Sequence, residues 1–314
     1  MAKTVADLNT SRRIRNMLTA EWGRIPSTIW RVDWSKQFHD DSLSYADAQK
    51  DSPHAGTPFA LSGVGARHGQ LSRFPHDLCM WATKFYCPER IPADSFGLFV
   101  NRLATVLDPF MGHNSRCEAV LRTNRNYIGH DIHEPFVLQT QTRYDIVKQG
   151  QKNLLGDEFK LQGEAILKRG DSRRADFIDY PPLFDFCISS PPFWDIEQYG
   201  DEPEQLGSHK RYWGFLGDLQ RVMRNCYRAL RPGAFLAWEL NDFTKGRRFY
   251  PYAFDGLSLL KKVGFIVHQI IVIDYGRSFF EAFATDIEAN KLAAKVHAYL
   301  VVVRKPDGID RPDR

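Results

Sequence analysis

Short apolar runs typical of buried β-strands alternate with amphipathic segments along the middle of this chain. The strand-like runs are Ala104–Leu107, Asn126–Gly129, Phe184–Ile188 and Ala234–Leu240, and the segments between them include Ser115–Thr123, Pro135–Gln149 and Tyr212–Leu230. Each of these segments is long enough for a crossover helix, and a strand–helix–strand connection joins parallel strands. The alternation therefore predicts an α/β domain with a mostly parallel, twisted sheet and helices on both faces.

The two ends of the chain differ from this pattern. Gly264–Tyr275 and His297–Arg304 predict an antiparallel hairpin at the sheet edge, and the polar stretch Ser278–Lys295 between them predicts a surface insertion. Residues 1–70 lack clean periodicity and are interpreted as an N-terminal extension. We therefore expect a main domain over residues 71–305 and a disordered tail over residues 306–314.

Composition narrows the class of protein. A chain of 314 residues with 43% hydrophobic content can bury one large core. Residues 1–21 are polar and no later window is apolar enough to cross a membrane, so we expect a cytoplasmic protein. The 5 cysteines are scattered and never form a C-x-x-C pair, which argues against a disulfide framework and against a metal site.

Positive charge is concentrated in one part of the sequence. The net charge is only +4, but lysine and arginine clearly outnumber acidic residues between Lys210 and Arg248. A basic surface that meets a polyanion is one interpretation. The other is the solvated face of an amphipathic helix, because Arg221, Arg224 and Arg228 follow helical spacing.

Three polar loops fit a nucleoside-binding unit. Asp108-Pro-Phe-Met-Gly-His-Asn-Ser115 follows the first strand, Asp131 closes the second, and Asp171 lies in a Gly-Asp-Ser turn before the Phe184 strand. Glycine at position 112 allows close approach of a ligand to the backbone. A carboxylate at the end of the second strand can accept hydrogen bonds from both ribose hydroxyls.

Ser190-Pro-Pro-Phe193 ends the Phe184 strand in a stiff loop, because prolines cannot extend a central strand. One chemistry that requires such a loop is reaction at the exocyclic amino group of a nucleobase. This group is a poor nucleophile, because its lone pair is delocalised into the ring of the base. The Ser190 hydroxyl and the Pro191 carbonyl are candidates to accept its hydrogens, and Phe193 is a candidate to stack on the base.

Together the two loops resemble motifs of the DNA amino-methyltransferases, D-P-F-x-G-x-G and S-P-P-Y/F. The matching residues are Asp108, Pro109, Phe110 and Gly112 in the first motif and Ser190, Pro191, Pro192 and Phe193 in the second. The similarity extends roughly from Phe74 to Lys305, and Lys84 lies in a segment that looks like the family's cofactor-flanking segment.

The resemblance implies a Rossmann-like class I methyltransferase fold, S-adenosylmethionine as the cofactor, and methyl transfer to an amino group of a flipped base in double-stranded DNA. Ser190 as the first catalytic residue favours cytosine N4 over adenine N6. Residues expected to contact DNA are Trp194, Lys210, Arg211, Arg247 and Arg248. A homodimer and a cognate restriction enzyme, in a bacterial or phage-infected cell, are compatible with the family and are left open.

Asn114 departs from the family pattern, which has a second glycine there. Asparagine tolerates positive φ, so the turn can survive, but its side chain can also crowd the cofactor. A catalytically silent DNA-binding relative is therefore an alternative. So is an enzyme of the same chemistry acting on RNA or a small molecule, whereas a nicotinamide dehydrogenase lacks its G-x-G-x-x-G loop.

Overall fold

The computed structural model describes residues 28–31, 74–92, 101–113, 115–149, 161–174, 184–196, 199–246, 248–275, 291 and 296–308. Most of the N-terminal extension, the Ser278–Lys295 insertion apart from residue 291, and the end of the tail lie outside these residues, as do Asn114 and Arg247.

Twelve strands and five helices are present in the described residues. The strands are β1 (Ile29–Arg31), β2 (Arg90–Ile91), β3 (Arg102–Leu103), β4 (Thr105–Asp108), β5 (Asn126–Asp131), β6 (Ala165–Arg169), β7 (Phe184–Ser189), β8 (Leu230–Leu240), β9 (Phe243–Lys245), β10 (Arg248–Tyr250), β11 (Ile266–Asp274) and β12 (His297–Arg304). The helices are α1 (His76–Tyr86), α2 (Ser115–Leu121), α3 (Glu134–Lys148), α4 (Tyr212–Ala229) and α5 (Tyr252–Val263).

Eight strands form one sheet in the order β1-β11-β12-β8-β7-β4-β5-β6. β12 runs antiparallel to both of its neighbours, and the other neighbouring strands pair in parallel. The predicted fold class, a Rossmann-like, mostly parallel sheet with a C-terminal antiparallel pair, is confirmed. The pair does not form the edge, however, because β1 pairs with β11 on its outer side.

Side chains alternate between the two faces of the central strands and feed two apolar clusters. On one face Val106, Phe186 and Leu300 pack beneath α1, α2 and α3. On the other face Leu107 and Val301 pack beneath α4 and α5. The core is thus a three-layer arrangement, as expected for parallel strands buried on both faces.

The short strand β1 lies within the segment interpreted as an extension. Trp30 is 3% exposed and its ring centroid lies 4.9 Å from that of Trp81 on α1. Residues 29–31 therefore belong to the same sheet as the main domain.

The arginines of α4 support the plainer of the two interpretations of the basic stretch. Arg221, Arg224 and Arg228 are exposed, while the opposite face of the helix is buried against the sheet. Arg231 lies at the start of β8, where its Nε is 2.8 Å from the buried carboxylate of Asp185. The arginines of α4 thus form the solvated face of the helix, and Arg231 pairs with a buried carboxylate.

Candidate cofactor and base site

The position of the site follows from the strand order, which reverses its direction across the sheet between β4 and β7. From β4 the chain moves outward through β5 and β6, and it then returns to the other side of β4 with β7 and β8. Open α/β sheets bind ligands at this switch point, beyond the carboxyl ends of the strands. A cleft opens there.

The loop after β4 and the end of β5 form the first wall. Gly112 has φ +57 and donates its backbone N–H to Asp131 Oδ2 at 2.8 Å. The backbone N–H of His133 donates to Asp131 Oδ1 at 2.9 Å. Gly112 and Asp131 both line the cleft, so the structure brings these two predicted residues together.

Burial raises the pKa of Asp131 to about 6, although the two backbone hydrogen bonds, from His133 and Gly112, lower it in part. The carboxylate is therefore ionised at neutral pH and is held in place by the main chain. Each of its oxygens carries two acceptor positions. Lone pairs thus remain for donors that enter the cleft.

Asp108 has a different place from the one expected. It is fully buried and does not line the cleft, although its neighbours Pro109 and Phe110 do. Its Oδ1 accepts from Ser189 Oγ at 2.6 Å and its Oδ2 accepts from Tyr127 Oη at 2.8 Å. In this position Asp108 ties β4, β5 and β7 together.

Arg116, in the first turn of α2, forms the floor of the cleft. Its Nε donates to Asp108 Oδ2 at 2.6 Å, a terminal nitrogen donates to the Phe110 carbonyl, and the guanidinium carbon lies 5.5 Å from the Phe74 ring centroid. Among the described lining residues it is the only arginine or lysine. Arg116 was not among the predicted site residues, although it lies only four positions after Gly112 in the sequence.

The turn after β6 forms the second wall. Asp171 lines the cleft and is held by Arg173, with Nη2 2.8 Å from Oδ2. Ser172 Oγ donates to the Pro109 carbonyl at 2.6 Å, which joins this turn to the loop after β4. Gly170 directly follows β6, a strand that the sequence analysis did not identify.

The Ser-Pro-Pro-Phe loop lies opposite. Ser190, Pro192 and Phe193 line the cleft, and Pro191 is buried outside it. Tyr252, at the start of α5, donates its Oη to the Pro192 carbonyl at 3.2 Å, and its ring meets that of Phe193 edge-on at 6.1 Å. The loop is therefore fixed from behind by a buried tyrosine.

A third wall comes from residues 199–207, which sequence analysis did not assign to the site. Tyr199, Glu204, Gln205, Leu206 and Gly207 line the cleft. This segment is tied to the Asp131 side by His133 Nδ1, which lies 3.0 Å from Glu202 Oε1. One side of the cleft is therefore formed by a segment that follows the Ser-Pro-Pro-Phe loop in sequence.

Other predicted site residues lie elsewhere. Lys84, near the end of α1, is partly exposed and does not line the cleft. Trp194 is 5% exposed and donates its indole N–H to the His209 carbonyl at 2.7 Å, so in this conformation it packs and has little surface for DNA. Lys210, Arg211 and Arg248 are exposed as expected.

In the part of the chain that the structure describes, no group of three or more His, Cys, Asp or Glu side chains is arranged to hold a metal ion. All five cysteines are buried and free. No described helix is long and apolar enough to cross a membrane.

No family model matches the sequence, and no curated protein matches it either. Among solved structures, the chain is similar to TTHA0409 of Thermus thermophilus, a candidate DNA modification methylase crystallised with S-adenosyl-L-methionine. The two sequences are 27% identical, the TM-score is 0.34, and the match covers 46% of this chain and 57% of that chain. This chain thus matches little more than half of TTHA0409.

Two further structures match with lower identity. TrmN from Thermus thermophilus is 15% identical with a TM-score of 0.43, over 79% of this chain and 52% of that chain. The N-methyltransferase NodS from Bradyrhizobium japonicum, in complex with S-adenosyl-L-homocysteine, is 11% identical with a TM-score of 0.40, over 65% and 78%. With TM-scores below 0.5, the function must be inferred from the residues of the cleft.

Proposed function

We propose that this chain is a DNA methyltransferase that transfers a methyl group from S-adenosylmethionine to an exocyclic amino group of a flipped base. The observation that carries this proposal is the shared cleft. Gly112 and Asp131, which suit a nucleoside, and Ser190 and Phe193, which suit a planar base, line the same space. Catalysis in such a site consists largely of holding two reactants in line and excluding water.

The residues of the first two walls fit the cofactor. Asp131 accepts hydrogen bonds from the ribose hydroxyls, and Gly112 supplies the positive φ of +57 that this turn requires and that other residues rarely adopt. Asp171, fixed by Arg173, contacts the adenine end. When bound, S-adenosylmethionine supplies a methyl group that its sulfonium already activates, so no metal is required.

Arg116 holds the carboxylate of the methionine moiety in this proposal. A guanidinium has five N–H donors in a planar fork that matches a carboxylate. The bonds to Asp108 and to the Phe110 carbonyl engage Nε and one terminal nitrogen and fix the orientation of the fork. Lys84, expected in this part of the site, does not line the cleft.

On the base side, Ser190 accepts a hydrogen bond from the target amino group, and Phe193 stacks on the ring. This hydrogen bond draws the nitrogen towards tetrahedral geometry and makes its lone pair available for attack on the methyl carbon. As the N–C bond forms, the S–C bond of the sulfonium breaks, and the nitrogen then releases one proton to solvent. The Pro191 carbonyl remains the second candidate acceptor. The Tyr252 bond to the Pro192 carbonyl keeps the loop from shifting during transfer.

Cytosine N4 is the favoured target, because serine stands first in the tetrapeptide, and adenine N6 is the alternative. Double-stranded DNA is the favoured partner, because the exposed cations Lys210, Arg211 and Arg248 can meet phosphates. Such contacts hold the duplex in place but carry little sequence information.

The test is transfer of labelled methyl groups from S-adenosylmethionine to unmethylated genomic DNA, with nucleoside mass spectrometry of the product. Label in N4-methylcytosine or N6-methyladenine, lost in Ser190→Ala, would support the proposal and identify the base. Binding of cofactor and DNA without transfer would instead favour the silent DNA-binding relative. Transfer to RNA alone would overturn DNA as the substrate.

A further inference from the structure

A small hairpin follows β8 directly beside the catalytic loop. β9 and β10 pair antiparallel, with Tyr250 opposite Phe243 at the base of the hairpin. The rings of these two residues stack at 5.2 Å and 18°. Trp194, next to Phe193 in sequence, lies 5.3 Å from Tyr250. Trp194, Phe243 and Tyr250 thus form an aromatic cluster at the base of the hairpin, called the root below, and Trp194 directly follows the Ser-Pro-Pro-Phe loop.

Two further contacts fix this root. Lys245 lies over the Trp194 ring, 4.7 Å from its centroid, and forms an ion pair with Asp195. Tyr212, at the start of α4, packs on Tyr250 at 4.9 Å. A two-stranded hairpin alone is marginally stable in water. Here the aromatic root stabilises the hairpin at one end, and Thr244, Lys245 and Gly246 towards the other end are exposed, with Gly246 at φ +60.

The outward side of the hairpin carries an exposed phenylalanine. Strand alternation places Phe249 on the face opposite Arg248 and Tyr250, and Phe249 is 52% exposed. Trp213, beside Tyr212 in the root, is 68% exposed. Both rings are therefore available to a partner that reaches the hairpin and the start of α4.

The charge around these rings indicates the partner. Arg248, whose guanidinium carbon lies 5.1 Å from the Tyr250 ring centroid on the face opposite Phe249, is exposed, and so are Lys210 and Arg211 before α4. Cations interleaved with exposed aromatic rings match phosphates alternating with stacked bases, a combination that neither an apolar protein surface nor a membrane core offers.

We propose that the β9–β10 hairpin inserts Phe249 into the base stack of duplex DNA next to the target nucleotide, while Arg248, Lys210 and Arg211 hold the flanking phosphates. The inference rests on the proposed function, because it takes DNA as the substrate. Extruding a base costs unstacking and unpairing free energy, and an apolar side chain that enters the stack offsets part of that cost. Phe249 then acts on duplex DNA and is dispensable once the base is unpaired.

The experiment compares kcat/KM for methyl transfer to sheared unmethylated genomic DNA before and after heat denaturation into single strands. We expect Phe249→Ala to lower kcat/KM about tenfold or more on the duplex, a loss typical of one base–aromatic stack. On single strands the same variant should stay within about threefold of the wild-type chain. Phe249→Tyr keeps an aromatic ring at this position and should therefore retain the kcat/KM of the wild-type chain on duplex DNA.

Leu138→Ala is the matched control, because Leu138 on α3 is 61% exposed and takes no part in the hairpin. Unchanged affinity of Phe249→Ala for S-adenosylhomocysteine would exclude a general folding defect. Equal losses on duplex and single strands, or no loss on either, would overturn the role of Phe249 while the methyltransferase proposal stands. If the wild-type chain methylates neither form, both proposals fail.

Discussion

Arg116 and Asp108 form an ion pair in which the carboxylate is fully buried and the arginine reaches the floor of the cleft, with Nε 2.6 Å from Oδ2 and the side chains 6% and 0% exposed. Burial lowers the pKa of Arg116, but the Asp108 carboxylate outweighs this effect and raises it, so the guanidinium stays charged. The first residue of the Asp-Pro-Phe motif thus acts on the cleft through the arginine that it holds.

Asp108→Asn should therefore destabilise the fold strongly. The asparagine amide is uncharged and cannot neutralise Arg116. Its N–H₂ group would also face donors that now bond to a carboxylate oxygen of Asp108. Removing one partner of a buried ion pair costs about 3–5 kcal/mol, and urea unfolding followed by circular dichroism should detect a loss of this size. Glu134→Gln is the control, because its pair with Arg169 is exposed, and it should cost under about 1 kcal/mol. Similar losses in both variants would contradict the structural role of Asp108.

Arg116→Lys tests which cation holds the methionine carboxylate. Lysine keeps the charge near Asp108 but loses the planar fork. We expect the Kd for S-adenosylhomocysteine to rise about 10- to 100-fold, in line with the roughly 1.5–3 kcal/mol of one charge-assisted hydrogen bond. Binding of 5′-methylthioadenosine, which lacks the carboxylate, should be unchanged, and isothermal titration calorimetry measures both.

Lys84→Ala provides the comparison, since Lys84 lies outside the cleft, and it should leave both affinities as they are. If Lys84→Ala weakens S-adenosylhomocysteine binding and Arg116→Lys does not, the assignment is reversed in favour of the residue expected from the family resemblance.

The polar loops of the site could be predicted because topology alone brings them together. Parallel strands joined by right-handed crossovers share one carboxyl edge, so Gly112, Asp131 and Ser190 had to meet wherever the strands were identified correctly. The strand β6 was missed because it is half exposed at the end of the sheet and carries Lys168 and Arg169, which hide its apolar alternation.

Contacts between distant segments could not be predicted. The wall at residues 199–207 has no strand or helix periodicity, and it is held by long-range contacts such as that of His133 with Glu202. Motif matching also does not say which way a side chain points. Asp108 turns into the core and Trp194 into an aromatic cluster, although both stand within or beside recognised motifs.

Tyr252→Phe should slow methyl transfer without weakening cofactor binding. The change removes the Oη bond to the Pro192 carbonyl but keeps the buried ring beside Phe193. A catalytic loop freed from one hydrogen bond of about 1 kcal/mol should lower kcat roughly 3- to 10-fold. The Kd for S-adenosylhomocysteine should not change, because this bond lies on the base side of the cleft.

Tyr212→Phe is matched to this variant. It removes a hydroxyl that donates to Asp255 at 2.8 Å and does not touch the catalytic loop. It should leave kcat near that of the wild-type chain. Equal effects of the two substitutions on kcat would point to general loosening of the aromatic cluster and against a positioning role for Tyr252.

Cofactor binding should weaken as the pH falls through about 6, the pKa to which burial raises Asp131 against the two backbone hydrogen bonds. Ribose hydroxyls donate to the ionised carboxylate, so affinity is full above this pH and falls by up to about tenfold per pH unit below it. Asp131→Asn should bind S-adenosylhomocysteine weakly at pH 8 and lose the part of the pH dependence near 6.

Stability changes in the opposite direction, since the folded pKa lies above the unfolded value of about 3.9. The folded chain holds the extra proton between about pH 4 and 6, so the contribution of Asp131 to stability is present below pH 4 and is lost as the pH rises through 6. Binding and unfolding measured at pH 5, 6, 7 and 8 should therefore give opposite slopes, each reduced in Asp131→Asn. Parallel slopes, or slopes that the substitution leaves intact, would assign the titration to another group and remove Asp131 from the ribose contact.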